Sequence, residues 1–119
     1  MQIMPFFCIC DRYQLGYGGY NRVLEKDIVS AVLRYLRTVT SCFTWKQHGG
    51  QFGTAGLPDI IACINGRFVA FEVKTPAGKL TKLQESTIQR IRNAKGEAFK
   101  VTSVDEVRQI VENLATDWR

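Results

Sequence analysis

Asn65-Gly66 stands between two apolar runs, Ile60-Ile61-Ala62-Cys63-Ile64 and Arg67-Phe68-Val69-Ala70-Phe71-Glu72-Val73. Both central positions of a tight hairpin turn need φ > 0, and Asn-Gly meets that need at the lowest steric cost. A two-residue loop also sets the register. Ile64 falls opposite Arg67, Cys63 opposite Phe68, and so on outward to Asp59 opposite Glu72. Directly opposed residues on one face have Cβ atoms about 5 Å apart. Strand alternation puts Lys74 on the same face as Glu72. One short turn therefore predicts two acids and a lysine side by side.

Two carboxylates at that spacing repel each other, and a divalent cation neutralises both. Phe68 and Ala70 share the face with Glu72, and Ile61 and Cys63 lie on the neighbouring strand. So apolar a face is expected to be covered, and buried acids need partners. Hard oxygen ligands without His or Cys select Mg²⁺ or Mn²⁺. The trio is thus a candidate metal-dependent site for phosphodiester cleavage. The plainer reading is that Asp59 starts a strand after Pro58, and that Glu72 and Lys74 line a solvated sheet face.

The chain has 119 residues, 45% of them hydrophobic and 23% charged, with a formal charge of +5. That is enough for one packed domain. Acids gathered at one site leave a more basic surface elsewhere, which suits an anionic polymer. No run is long and apolar enough to cross a membrane. The apolar start Met1–Cys10 has no basic n-region and no small-residue cleavage site, so a cytoplasmic protein is expected. Cys8 and Cys10 are too close for a usual zinc pair, and Cys42 and Cys63 read as small core residues.

Residues 1–21 carry glycine at a density that argues against helix and are read as an arm or leader with no assigned chemistry. Residues 22–119 form the expected single domain. Leu24 to about Thr40 shows a helical stripe of Leu24, Ile28, Val32 and Leu36. Glu25 lies at the edge of that stripe, as a helix N-terminal charge or as a group aimed inward. Ser41–Gln47 reads as a strand, and His48–Gly56 as a glycine-rich loop running up to Asp59. Thr81 and Gln84 form a capping-box pattern for a helix ending at Gly96, with Leu80, Leu83, Ile88, Ile91 and Ala94 inward. Ala98–Val101 is a strand, and Ser103 caps a last helix. The order α-β-β-β-α-β-α, with a strand–helix–strand crossover, predicts an α/β fold with a mixed sheet and helices on both faces.

This order, with Pro58-Asp59, Glu72-Val73-Lys74 and Gln84 on the next helix, resembles the PD-(D/E)XK nuclease superfamily, with its αβββαβ(α) restriction-endonuclease-like core. Gly56-Leu57-Pro58-Asp59 followed by Phe71-Glu72-Val73-Lys74-Thr75 is most similar to the VRR-NUC branch, in particular its small stand-alone phage and bacterial members. The resemblance spans about residues 23–114. It implies Asp59 and Glu72 as metal ligands, with the Val73 backbone carbonyl as a third and Glu25 as a direct or water-mediated one. It also implies Lys74 as the residue that orients water and steadies the scissile phosphate, with Gln84 beside it.

The expected function is Mg²⁺- or Mn²⁺-dependent DNA endonuclease activity. With no separate domain for reading base edges, selectivity for structure rather than sequence is expected. The resemblance points to branched DNA such as four-way (Holliday) junctions or flaps. A two-fold junction calls for a homodimer. Lys46, His48, Thr75, Lys79 and Lys82 are candidate substrate contacts, with Arg90, Arg92 and Lys95 as further candidates for phosphate. The alternative is a non-catalytic nucleic-acid-binding module on the same fold. Its expected mark is a missing acid or lysine, and Glu25, Asp59, Glu72 and Lys74 are all present.

Overall fold

The computed structural model describes residues 23–49 and 53–117. The expected N-terminal arm, with Cys8 and Cys10, lies outside them. The first helix, α1, runs Glu25–Leu36 and buries Ile28, Val29, Val32, Leu33 and Leu36. It ends before Thr40. The Thr38 hydroxyl donates to the Tyr35 carbonyl at 2.6 Å, and the Thr38 and Val39 N–H groups close onto Tyr35 and Leu36. A side chain that bonds its own backbone competes with helix continuation.

Strand β1 (Cys42–Lys46) follows, then the hairpin of β2 (Ile60–Ile64) and β3 (Arg67–Val73). Asn65 and Gly66 adopt φ of 50° and 81°, as the turn demands. The pairing runs from Ile64–Arg67 to Ile60–Phe71, in the register set by the two-residue loop. β1 pairs antiparallel with β2, and β4 (Glu97–Val101) pairs parallel with β3, giving the order β1-β2-β3-β4. Helix α2 (Lys82–Asn93) connects β3 to β4, and α3 (Val104–Asp117) closes the described chain.

Odd and even positions of the hairpin serve different helices. Ile60, Ala62, Ile64, Val69, Phe71 and Val73 pack under α1 and α3, whereas Ile61, Ala70 and Ala98 pack under Ile88 of α2. The sheet is therefore mixed and flanked on both faces, as expected. The second face is covered only in part. α2 sits over the β3–β4 side, and Phe43, Trp45 and Phe68 remain 71%, 41% and 45% exposed. Cys63 lies in this open region and is exposed, not a core residue; Cys42 is half-buried. Leu83 and Ala94 are also exposed, because α2 turns only Ile88, with Leu80 and Ile91 beside it, onto the sheet.

Helix α2 starts in a full capping box: Thr81 Oγ1 accepts from the Gln84 N–H, and Gln84 Oε1 accepts from the Thr81 N–H. Its other end was expected to use Gly96 as the left-handed residue. Lys95 holds that place instead, with φ of 73°. The Lys95 N–H reaches the Arg92 carbonyl and the Gly96 N–H reaches the Ile91 carbonyl, the two bonds of a Schellman motif. Gly96 is needed for space: a Cβ there would lie 2.9 Å from Ile91 Cγ2 and 3.2 Å from Phe68 Cδ1. Lys95→Gly should therefore raise stability by about 0.5–1 kcal/mol by relieving the left-handed strain. Gly96→Ala should lower it by about 1 kcal/mol through crowding. Urea unfolding midpoints of the two variants check both signs.

Candidate active site

The hairpin ladder ends at Ile60–Phe71, and its next rung is made by a side chain. Asp59 Oδ2 accepts from the Val73 N–H at 2.8 Å. The Asp59 carbonyl in turn accepts from the Gln47 N–H at 2.8 Å. Asp59 is thus held through its backbone to the end of β1 and through its carboxylate to β3. Pro58 before it is buried, and Asp59 itself is half-buried. Carrying the one-to-one register one step past Ile60–Phe71 puts Asp59 opposite Glu72, and the Asp59 charge is felt at the Glu72 carboxyl group.

Glu72 is the one charged residue in the buried interior of the described chain, with 4% of its surface accessible. Its Oε1 accepts from Gln84 Nε2 at 2.8 Å and lies 4.0 Å from Lys74 Nζ. The Gln84 amide therefore does two jobs: its oxygen caps α2 and its nitrogen holds Glu72. The Lys74 side chain is 13% accessible, and its backbone N–H continues the sheet by donating to the Val101 carbonyl at 2.9 Å. Gly78 permits the turn over it, since a Cβ at Gly78 would sit 3.2 Å from Lys74 Cβ.

Burial pushes the Glu72 carboxyl up to about 8, and the Asp59 charge pushes the same way. Lys74 opposes this and Glu25 adds to it. Glu25, the exposed first residue of α1, is therefore within electrostatic reach of Glu72. It does not join the carboxyl pair in a tight cluster: among the described residues no three His, Cys, Asp or Glu side chains stand together as a preformed metal cage. The donor set nonetheless fits a small hard cation. Mg²⁺ is commonly held by one or two carboxylates, with water and substrate phosphate completing the shell. Two adjacent carboxyl groups are where such a charge is needed.

The candidate substrate contacts spread around this centre. Lys46 pairs with Ile60, one residue from Asp59, and is exposed. Thr75 is half-buried in the turn after Lys74, and Lys79 and Lys82 are exposed on either side of the Thr81 cap. Arg90 and Lys95 are exposed. Arg92 is turned inward: its guanidinium donates to the Ala98 carbonyl at 3.0 and 2.8 Å and lies over the Phe99 ring. That engagement sets it apart from the free cations.

His48 lines a cavity of about 400 Å³ beside Asp59, together with Gln47, Gly49, Thr54 and Leu57. The sequence reads this segment as a glycine-rich loop running up to Asp59, with His48 as a candidate substrate contact, but not as the wall of a cavity. Gly56 was the signal it missed. Its φ of 80° needs glycine, and a Cβ there would lie 2.5 Å from Leu83 Cγ. The exposed Leu83 thus buttresses the loop rather than the core.

The raised Glu72 value has a definite consequence. Between about pH 4.5 and 8 the folded chain keeps a proton that the unfolded chain releases. Stability from this group is full below that window and falls as pH rises through it. Each pKa unit is worth about 1.4 kcal/mol, so the loss is on the order of a few kcal/mol. Glu72→Gln keeps the shape and removes the titration. Without divalent cations it should raise Tm by roughly 5 °C or more at about pH 8.5 and change it little at about pH 5. Calorimetry at the two pH values tests this, and equal shifts at both would contradict it.

No protein-family model and no curated protein matches the sequence. Solved structures do. One described as "VRR_NUC domain" is 21% identical, with a TM-score of 0.63, over 74% of this chain and 94% of its own. Another, "VRR_NUC domain protein", is 18% identical, with a TM-score of 0.64, over 76% of this chain and 86% of its own. The chain has the α/β fold of VRR_NUC domain structures.

Proposed function

We propose that this protein is a Mg²⁺- or Mn²⁺-dependent DNA endonuclease that hydrolyses phosphodiester bonds, with a preference for branched DNA. The observation that carries the reading is the buried Glu72 carboxyl, hydrogen-bonded by Gln84, with the Asp59 charge beside it and Lys74 Nζ 4.0 Å away. A purely structural role does not explain a sheet that buries an acid against a second acid.

Asp59, Glu72 and the Val73 carbonyl would hold the cation, with Glu25 contributing directly or through water. A divalent cation there supplies Lewis-acid polarisation of phosphoryl oxygens and makes water more acidic. Carrying that charge would require the Glu72 carboxyl to be deprotonated. Gln84 keeps the Glu72 carboxylate in place. Lys74 positions the attacking water and stabilises negative charge building on the scissile phosphate. Lys46, His48, Thr75, Lys79 and Lys82 hold the flanking backbone.

The branched-DNA preference and a homodimer follow from the same reading. A four-way junction has two-fold symmetry and needs two equivalent cuts. The open sheet face of Phe43, Trp45 and Phe68 supports pairing with a second copy, because it presents large apolar side chains to solvent.

Linear duplex, flap, splayed-arm and four-way-junction DNA, each with Mg²⁺, Mn²⁺ or EDTA, form the deciding assay. Cleavage should need a divalent cation and favour the branched substrates. Cutting in EDTA, or none with any metal and substrate, defeats the proposal. Glu72→Ala and Lys74→Ala should each lower the single-turnover rate by about 10³-fold or more while circular dichroism stays native. Mg²⁺ or Mn²⁺ should raise the wild-type Tm at about pH 8 and leave Glu72→Gln nearly unmoved. Phe43→Glu should shift the protein from dimer to monomer in sedimentation at micromolar concentration. A monomeric wild type would remove the junction-resolving form of the proposal and leave nuclease activity standing.

A further inference from the structure

Gln84 carries a side-chain amide with two unlike ends, an accepting oxygen and a donating nitrogen. Nothing in that group's own shape decides which end faces Glu72. The choice matters, because a carboxylate only accepts. The amide nitrogen turned toward Glu72 attracts a carboxylate, and the amide oxygen turned toward it repels one. Glu72 has 4% of its surface accessible, so little water is at hand to soften the wrong choice.

The choice is made from outside the pair. Gln84 Oε1 accepts from the Thr81 backbone N–H at 2.9 Å, while Gln84 Nε2 donates to Glu72 Oε1 at 2.8 Å. Turning the amide over would bring its nitrogen against the Thr81 N–H and its oxygen against the Glu72 carboxylate. One backbone N–H therefore penalises the wrong orientation at both ends of the group. The first turn of α2 is steadied from two further sides. Thr81 Oγ1 accepts from the Gln84 backbone N–H at 3.2 Å, and Leu80 and Ile88 pack toward the sheet. Thr81 itself is exposed and acts on Glu72 only through Gln84.

We propose that the Thr81 backbone N–H is a positioning group for the cation site. By holding the Gln84 oxygen, it commits the Gln84 nitrogen to Glu72 and keeps that side chain set to receive a cation. The inference rests on the cation of the nuclease reading and adds a residue which that reading does not use. The coupling runs both ways. A closed Thr81–Gln84 bond that favours the cation is itself favoured, by the same factor, when the cation is bound. The start of α2 and the metal site are then one linked unit.

Two substitutions at one position separate the hydroxyl from the N–H. Thr81→Ala removes Oγ1 and leaves the backbone donor. Thr81→Pro removes both, and the φ of −75° at this residue lies within the range that proline imposes. Mg²⁺ and Mn²⁺ affinities of the full-length proteins are measured by titration calorimetry at a single pH, without DNA. Thr81→Pro should bind either cation about ten-fold more weakly than Thr81→Ala, the scale of one hydrogen bond to a charged group. Thr81→Ala should melt at a lower temperature, having lost its cap, yet stay within about two-fold of wild type in affinity. Equal affinities of the two variants overturn the positioning role and leave the nuclease reading standing, since a purely structural cap acts through the hydroxyl that both have lost. A second measurement needs no substitution. Saturating Mg²⁺ should slow hydrogen exchange at the wild-type Thr81 N–H by about ten-fold. An unchanged rate overturns the proposal even where the proline variant does not fold. Wild type that binds neither cation overturns both readings. Weaker binding by Thr81→Pro alone, with no DNA cut by wild type, sustains the positioning role and removes the nuclease reading instead.

Discussion

A carboxyl group buried in a sheet is costly unless its surroundings answer it, and Glu72 is where this fold meets that cost. Neighbouring even positions of β3 are apolar, and α2 lies across them. Glu72 is tolerated because Gln84, from the first turn of α2, donates to its carboxyl group and Lys74, just after β3, sets its ammonium 4.0 Å away, while the charges of Asp59, just before β2, and of Glu25 on α1 push it toward the protonated form. The hydrophobic core on the opposite face, built on Val69, Phe71 and Val73, fixes the strand that carries Glu72. The site is therefore one end of a well-packed sheet rather than a loop assembly. Geometry of that kind resists the drift that would spoil a positioned pair of acids.

The same arrangement explains why the uncharged state is preferred at rest. Desolvation and the neighbouring Asp59 both favour a proton on Glu72, and Lys74 only partly opposes them. The fold thus stores an unmet demand for positive charge between two acids. A cation that bound there would have to displace that proton, so its binding would be linked to proton release and would weaken as pH falls.

Much of the site was legible because its controlling signals are local. Asn65-Gly66 set the register, alternation placed Lys74, and the Thr81–Gln84 spacing located the start of α2. What was not legible depended on contacts between distant segments. Nothing local says that Leu83 would turn outward onto Gly56, or that Arg92 would bind the Ala98 carbonyl. Nor does a pattern of apolar residues reveal that α2 is too narrow to cover Phe43 and Trp45. The ladder's last rung is a further case. Strand logic gives the Val73 N–H to the Pro58 carbonyl, but the Asp59 carboxylate takes it instead. A short acceptor side chain at a strand end can compete in this way with the ladder it joins.

The double duty of Gln84 sets how freely that position can change over evolutionary time. Glutamate would still cap the helix, yet it would press a third acid against Glu72. Asparagine is a methylene shorter and would have to give up one of the two partners. Leucine would keep the helix propensity and abandon both. A single amide that serves helix and site together closes off the substitutions that either role alone would permit, so drift at position 84 demands a compensating change at Thr81 or Glu72 in the same lineage.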